Sequence, residues 1–183
     1  FKQLKMKKDN SIIIGSGVIG CYLAKFLLSK KQRVIVTSRK KKKSYINYNK
    51  LNIGNKIIFE ELDVLKKQNI LKLLKKYTPK NIFYFSGQSS ITKSIKLKKA
   101  TNDSNYIGAK KILEILHKYE LKTNFYKANS GYIFEPNKGL INIKSKISKN
   151  KNPYIQSQIK AHKEVKIFRK KGVNCCSIFF LQV

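Results

Sequence analysis

The sequence predicts an α/β protein built on a doubly wound, Rossmann-like parallel sheet. Three observations lead there. Short apolar runs alternate with amphipathic stretches of helical length along the 183 residues; the first apolar run enters a Gly-x-Gly-x-x-Gly turn that opens a helix; and no apolar run is long enough to cross a bilayer. Strands separated by helices of this length pair in parallel through right-handed crossovers.

The elements follow in order. "SIIIGSG" (11–17) reads as a buried strand entering a glycine turn, and "GCYLAKFLLSKK" (20–31) as a helix with Tyr22, Leu23, Phe26 and Leu27 on its apolar side. "RVIVTS" (33–38) is a second strand, followed by a solvated lysine run at 40–43. "KIIFEELDV" (56–64) is a third strand, and "KQNILKLLKKY" (67–77) a helix burying Ile70, Leu71, Leu73 and Leu74. "NIFYFSG" (81–87) is a fourth strand, 109–119 a helix, "TNFYKANS" (123–130) a strand, 154–170 a helix and "NCCSIFFLQ" (174–182) a last strand. Residues 136–152 have no clear period and read as a surface loop.

The length suits one domain. The chain opens on Phe1 and ends on an apolar run, which reads as a strand at a fragment boundary. A net charge of +32 would ordinarily point to a polyanion partner. Of the 41 Lys+Arg, however, only Arg33, Arg39 and Arg169 are arginine, and the lysines are scattered among Asn and Ile in every segment. Nucleic-acid readers favour arginine forks concentrated on one face, so a compositional drift accounts better for the charge than specific nucleic-acid binding. Cys21, Cys175 and Cys176 form neither a disulfide framework nor a metal-ligand spacing, and His117 and His162 lie in helical stretches with no ligand spacing, so no metal site is expected. A reducing cytoplasm is the default location.

The turn Gly15-Ser16-Gly17-Val18-Ile19-Gly20 has the context that dinucleotide binding requires, a strand before it and a helix after. Gly15 permits the tight turn, Gly17 lets backbone approach a pyrophosphate, Gly20 lets helix and strand pack closely, and the helix N-terminus offers unpaired N–H groups to the phosphates. After the second strand the sequence reads Thr37-Ser38-Arg39-Lys40, with no acid to accept from the ribose of NAD. Arg39 suits the 2′-phosphate of NADP, which is therefore favoured over NAD, although a solvated loop cation is the competing role. Asp63 ends the third strand, where it would meet an adenine amino group or cap the next helix. Ser86, Gly87 and Gln88 again place small and polar residues at the carboxyl edge of the sheet, where ligands of open α/β folds bind.

These residues resemble the extended short-chain dehydrogenase/reductase family, in particular its nucleotide-sugar epimerases and dehydratases. The resemblance runs in order through the glycine turn, Asp63-Val64, "FSGQSS" (85–90), "SNYIGAKKILE" (104–114), "ANSGYIF" (128–134) and "PYIQSQ" (153–158). It implies a cofactor-binding domain over residues 1–183 followed by a smaller substrate domain, missing here, a nucleotide-sugar substrate and a homodimer. By position it makes Ser130 the hydroxyl that binds the substrate oxygen, Tyr154 the tyrosine that passes a proton while a hydride moves, and Asn105 and Gly108 the pair of an "NxxG" helix. A phenol ionises near pH 10, so a tyrosine base needs a cation beside it. The family carries a lysine four residues after the tyrosine, and here that position is Gln158. Lys160 is six residues on, about 600° of helical rotation, and falls on another face.

Two further departures bear on the reaction. The glycine turn is one residue shorter than the family's usual form, and Tyr132 stands where the dehydratases carry an acid for water elimination. The latter favours epimerisation or keto reduction, whereas "GQSS" (87–90) looks closest to the GDP-mannose 4,6-dehydratase branch. The expectation is an NAD(P)-dependent nucleotide-sugar oxidoreductase, with a catalytically impaired dinucleotide-binding member as the alternative and a polyanion-binding protein behind it. Replacing Gln158 by Lys would raise turnover in an impaired enzyme and not in one adapted to Gln.

Overall fold

The computed structural model describes residues 9–39, 41–137 and 140–181, with residues 41–45 by their backbone alone. Strands β1 (Asn10–Ile14), β2 (Arg33–Ser38), β3 (Ile58–Glu61), β4 (Asn81–Tyr84), β5 (Asn124–Ser130) and β6 (Cys175–Phe180) form one sheet in the order β3-β2-β1-β4-β5-β6. Every pairing is parallel. The order reverses between β1 and β4, which opens a crevice at their carboxyl ends.

Helices cover both faces, so the cores of β1 and β2 are near-continuous apolar runs rather than alternating with polar residues. Ile13, Val34, Val36 and Phe59 face helix α1 (Val18–Ser29) and the segment after α2 (Lys41–Lys50). Ile12, Ile14, Ile35, Ile82, Tyr84 and Phe125 face α3 (Lys67–Tyr77), α6 (Gly108–Lys118) and α7 (Pro153–Lys170). A third cluster of Ile133, Phe134, Tyr154, Ile155 and Ile159 anchors the start of α7 at the carboxyl edge.

The apolar side expected for α1 differs from the observed one. Tyr22 and Phe26 are 61% and 56% exposed, and the buried face is Gly20, Cys21, Ala24 and Leu27. Small residues there let α1 lie close on β1, and the helix turns to put them inward. Helix α3 buries Ile70, Leu73 and Leu74 as expected and adds Tyr77, with Leu71 only partly covered. Three short elements have no period strong enough to announce them: α2, α4 (Ile91–Lys96) and α5 (Lys98–Asn102). A π-helical turn, Asp103–Ile107, joins α5 to α6. Residues 136–152 form no helix or regular strand where described, only the isolated bridges Phe134–Ile147 and Asn137–Leu140.

Candidate functional site

The glycine turn lies at the switch point. Gly15 has φ +110°, and a Cβ on it would stand 2.7 Å from the Ser86 nitrogen, so the loops after β1 and β4 touch through backbone. A Cβ on Gly20 would meet the Gly15 carbonyl at 2.7 Å. Gly17 differs: nothing lies within 4 Å of where its Cβ would be. It is the N-cap of α1, has no side chain to accept the first N–H groups, and no acid stands in the first turn. The helix therefore presents orphan N–H donors and its positive dipole end to open space, an arrangement that fits an anionic ligand. Val18 and Ile19 are exposed beside it, while Ser16 flanks the turn.

Around this turn, Arg39 is exposed just after β2, and Lys40 lies outside the described residues. Asp63 Oδ1 accepts the Leu65 N–H at 3.0 Å, so it closes a local turn; the N-cap of α3 is Lys66. Val64 is buried and packs where Gly108 lacks a side chain: a Cβ there would collide with Tyr84 Oη and Val64. Gln88 Oε1 accepts the Ser90 N–H at 2.8 Å, which shapes the loop after β4.

A buried polar network ties that loop to the tyrosine helix. Asn105, on the π-helical turn and 1% exposed, donates from Nδ2 to the Gln88 carbonyl at 3.1 Å and to Ser157 Oγ at 3.0 Å. Ser157 in turn donates to the Tyr154 carbonyl at 2.7 Å. Gly87 is glycine because a Cβ would overlap Asn105 Oδ1. At the other end Asn152 caps α7, its Oδ1 accepting from the Tyr154 N–H at 2.9 Å and from Ser94 Oγ at 3.1 Å. Ser130 ends β5 at the same edge, and its Oγ accepts the Tyr132 N–H at 3.2 Å. The Tyr154 hydroxyl makes no hydrogen bond to another described residue, although the side chain is packed among Ile133, Ile155 and Ile159.

Helix α7 carries Gln158 one turn after Tyr154, and Gln158 is 6% exposed. Asn129 Nδ2 donates to its backbone carbonyl at 3.2 Å. Its side-chain Oε1 accepts at 3.2 Å from Lys127 Nζ, a residue on β5 that the sequence reading passed over. Lys127 also donates to the Ala128 carbonyl and lies 5.6 Å from the centre of the Tyr84 ring. Burial alone pushes its ammonium down to about 7. A signal existed: Phe125, Lys127 and Asn129 alternate on the covered face of a central strand, where a lysine is out of place. Among so many lysines it did not stand out. Lys160 lies 6.0 Å from the Tyr106 ring, away from Tyr154.

Phe134 is buried against Phe179 and His162, but Tyr132 is 44% exposed and is not a core residue. His162 contacts Ser177 Oγ at 3.0 Å, and its imidazole is pushed down by burial and by Lys166 and Arg169. His117 packs edge-on to Phe168. Among the described residues no three His, Cys, Asp or Glu side chains gather as metal ligands, and no helix is long and apolar enough to cross a membrane.

A family model described as the NAD dependent epimerase/dehydratase family matches residues 12–182. The chain belongs to that family. No curated protein sequence matches it. Among solved structures it resembles UDP-glucose 4-epimerase from Brucella ovis in complex with NAD, with a TM-score of 0.82 and 17% identity over 95% of this chain and 52% of that one. The UDP-Glc/GlcNAc 4-epimerase of Campylobacter jejuni gives a TM-score of 0.83 and 16% identity over 93% and 53%. DesIV, the dTDP-glucose 4,6-dehydratase of Streptomyces venezuelae, gives 0.79 and 16% over 93% and 55%. At these identities the likeness is one of fold, and the chain spans about half the length of each structure. Within this epimerase/dehydratase fold the Ser130, Tyr154, Gln158 and Asn105 positions gather at one edge of the sheet, with Asn105 tied to the Tyr154 turn through Ser157.

Proposed function

We propose that this member of the epimerase/dehydratase family binds NAD or NADP across the switch point and acts as an oxidoreductase on a nucleotide-linked sugar. The observation that carries the reading is the uncapped N-terminus of α1 behind Gly17, open to ligand, on the same sheet edge as Ser130 and Tyr154. Gly15, Ser16, Gly17, Val18, Ile19 and Gly20 would hold the pyrophosphate through backbone N–H groups. Asp63 and Val64 would border the adenine, and Ser86, Gly87 and Gln88 the middle of the dinucleotide. A bound nicotinamide supplies the site with a hydride donor or acceptor. Ser130 Oγ, already accepting one N–H, keeps its own proton to donate to a sugar oxygen. Tyr154 passes the proton, and its hydroxyl has no hydrogen-bond partner among the described residues. Asn105 keeps the tyrosine turn in register with the loop after β4.

Arg39 favours NADP, and the Brucella ovis epimerase solved in complex with NAD makes the choice a question for titration. Fluorescence titration with NADH and NADPH is expected to give saturable binding of both, with NADPH at least as tight, and Arg39→Ala to weaken NADPH selectively. Absence of saturable binding of either would remove the basis of the reading. The "GQSS" loop favours a GDP-linked sugar, and competition between GDP-mannose and UDP-glucose tests that choice. A second reading, a dinucleotide-binding member without turnover, is favoured by Gln158 at the position of the family's lysine. It predicts cofactor binding with no nucleotide-sugar-dependent change in NAD(P)H absorbance.

A further inference from the structure

Lys127 is the one charged side chain buried among the described residues, at 1% exposure. None of the ion pairs between described residues includes it. Its Nζ is held by the Ala128 carbonyl, by Gln158 Oε1 at 3.2 Å and by the face of the Tyr84 ring. A leucine or methionine would fill that depth of the core without the desolvation cost of an ammonium, so the charge is kept against an apolar alternative. Among the described residues its only side-chain hydrogen-bond partner is Gln158, one helical turn after Tyr154. An ammonium has donors and no acceptor, so the oxygen end of the Gln158 amide must face it. The N–H end is thereby left for something else.

We propose that Lys127 is a positioning residue for the tyrosine site: it clamps Gln158 Oε1, leaves the Gln158 N–H groups as fixed donors for a ribose hydroxyl of the bound dinucleotide, and returns from strand β5 the positive charge that α7 lacks at that turn. The cation has moved from helix to strand, with Gln158 as the link. Lys127 acts through Gln158 and need not touch the ligand. This inference rests on the dinucleotide reading above.

Titrating the full chain with NADH and separately with ADP reads the two ends of the site apart, because ADP fills only the adenosine and pyrophosphate end, at Asp63, Val64 and the glycine turn. Lys127→Met is expected to weaken NADH about tenfold and to leave ADP within about twofold. Gln158→Leu, which keeps the ammonium and removes its partner, gives the same pattern. Combining Lys127→Met with Gln158→Lys returns the cation to the helix and brings NADH affinity back to within about threefold of wild type; a purely structural lysine would not be rescued this way. Equal losses of NADH and ADP, or no loss, overturn the proposal. Should Lys127→Met fail to fold, unchanged NADH affinity in Gln158→Leu overturns it equally. If the wild-type chain binds neither NADH nor ADP, the dinucleotide reading falls and takes this inference with it, an outcome separate from a failure of selectivity.

Discussion

Gln158→Lys looks, from the sequence, like the repair of a missing catalytic lysine. The structure attaches a stability cost to it. A lysine at 158 would bring a second ammonium to the place where Lys127 Nζ now meets Gln158 Oε1 at 3.2 Å. Two unit charges at about 4 Å with an effective dielectric near 20 repel by about 4 kcal/mol. Lys127 can escape by losing its proton, and with an ammonium already down to about 7 that escape is nearly free at neutral pH. Below pH 7 it costs about 1.4 kcal/mol per unit. The destabilisation of Gln158→Lys relative to wild type is thus expected to be about 1 kcal/mol at pH 8, the worth of the lost hydrogen bond, and to grow towards about 4 kcal/mol near pH 5. Urea unfolding of both proteins from pH 5 to 8 measures it, and in the Lys127→Met background the pH-dependent part should vanish. A difference between wild type and Gln158→Lys that stays constant with pH would refute the argument, because the two cations would then not be neighbours.

Other predictions follow from the same geometry. Lys127 in the folded state releases its proton near pH 7, whereas in the unfolded chain it does so near 10.4, so between these values the unfolded state holds more protons and stability rises with pH. The rise should be visible in melting temperatures from pH 7 to 9, before the burial-raised thiol of Cys175 opposes it, and should flatten in Lys127→Met. Gly15→Ala forces φ +110° and a 2.7 Å approach to the Ser86 nitrogen, and should cost at least about 2 kcal/mol of stability. Gly17→Ala meets nothing within 4 Å and should cost less than about 1 kcal/mol by urea unfolding, yet abolish NADH binding in titration. Tyr154→Phe should leave NADH affinity in place and lower any nucleotide-sugar turnover by about 10² to 10⁴, and an unchanged rate would remove Tyr154 from the chemistry.

The sheet was legible because its signals are redundant. Six apolar runs separated by helical periods can close into few topologies, and one glycine turn indicates which strand is central. The orientation of α1 was not legible, because its buried face is made of Gly20, Cys21 and Ala24, which carry little hydrophobic signal, while Tyr22 and Phe26 carry much. Helix α2 was hidden for a related reason: "KKKSYINYNK" has almost no apolar face, and among its described side chains Tyr48 is the one in the core. In the candidate site, Ser130, Tyr154, Asn105 and Gln158 were read from motif order, and the structure brings them to one edge. Lys127 was not read because its meaning lies in a contact between β5 and α7, 31 residues apart. No local pattern encodes such a contact.

The two halves of the site are built from different materials, and this bears on what each tolerates. The dinucleotide half is backbone: Gly15 against Ser86, Gly20 against Gly15, open space at Gly17. A side chain added at Gly15 or Gly20 would collide with that backbone, so these two positions are the least exchangeable there. The tyrosine half is a set of buried polar pairs at α7, Asn105 with Ser157, which donates on to the Tyr154 carbonyl, and Lys127 with Gln158. Burying such groups costs free energy unless each finds a partner, so a change at one member must be answered at another. Gln158 with Lys127 is such an answered pair. If the two act as one unit, the loss caused by Lys127→Met is answered by Gln158→Lys, whereas two unrelated residues would give losses that simply add.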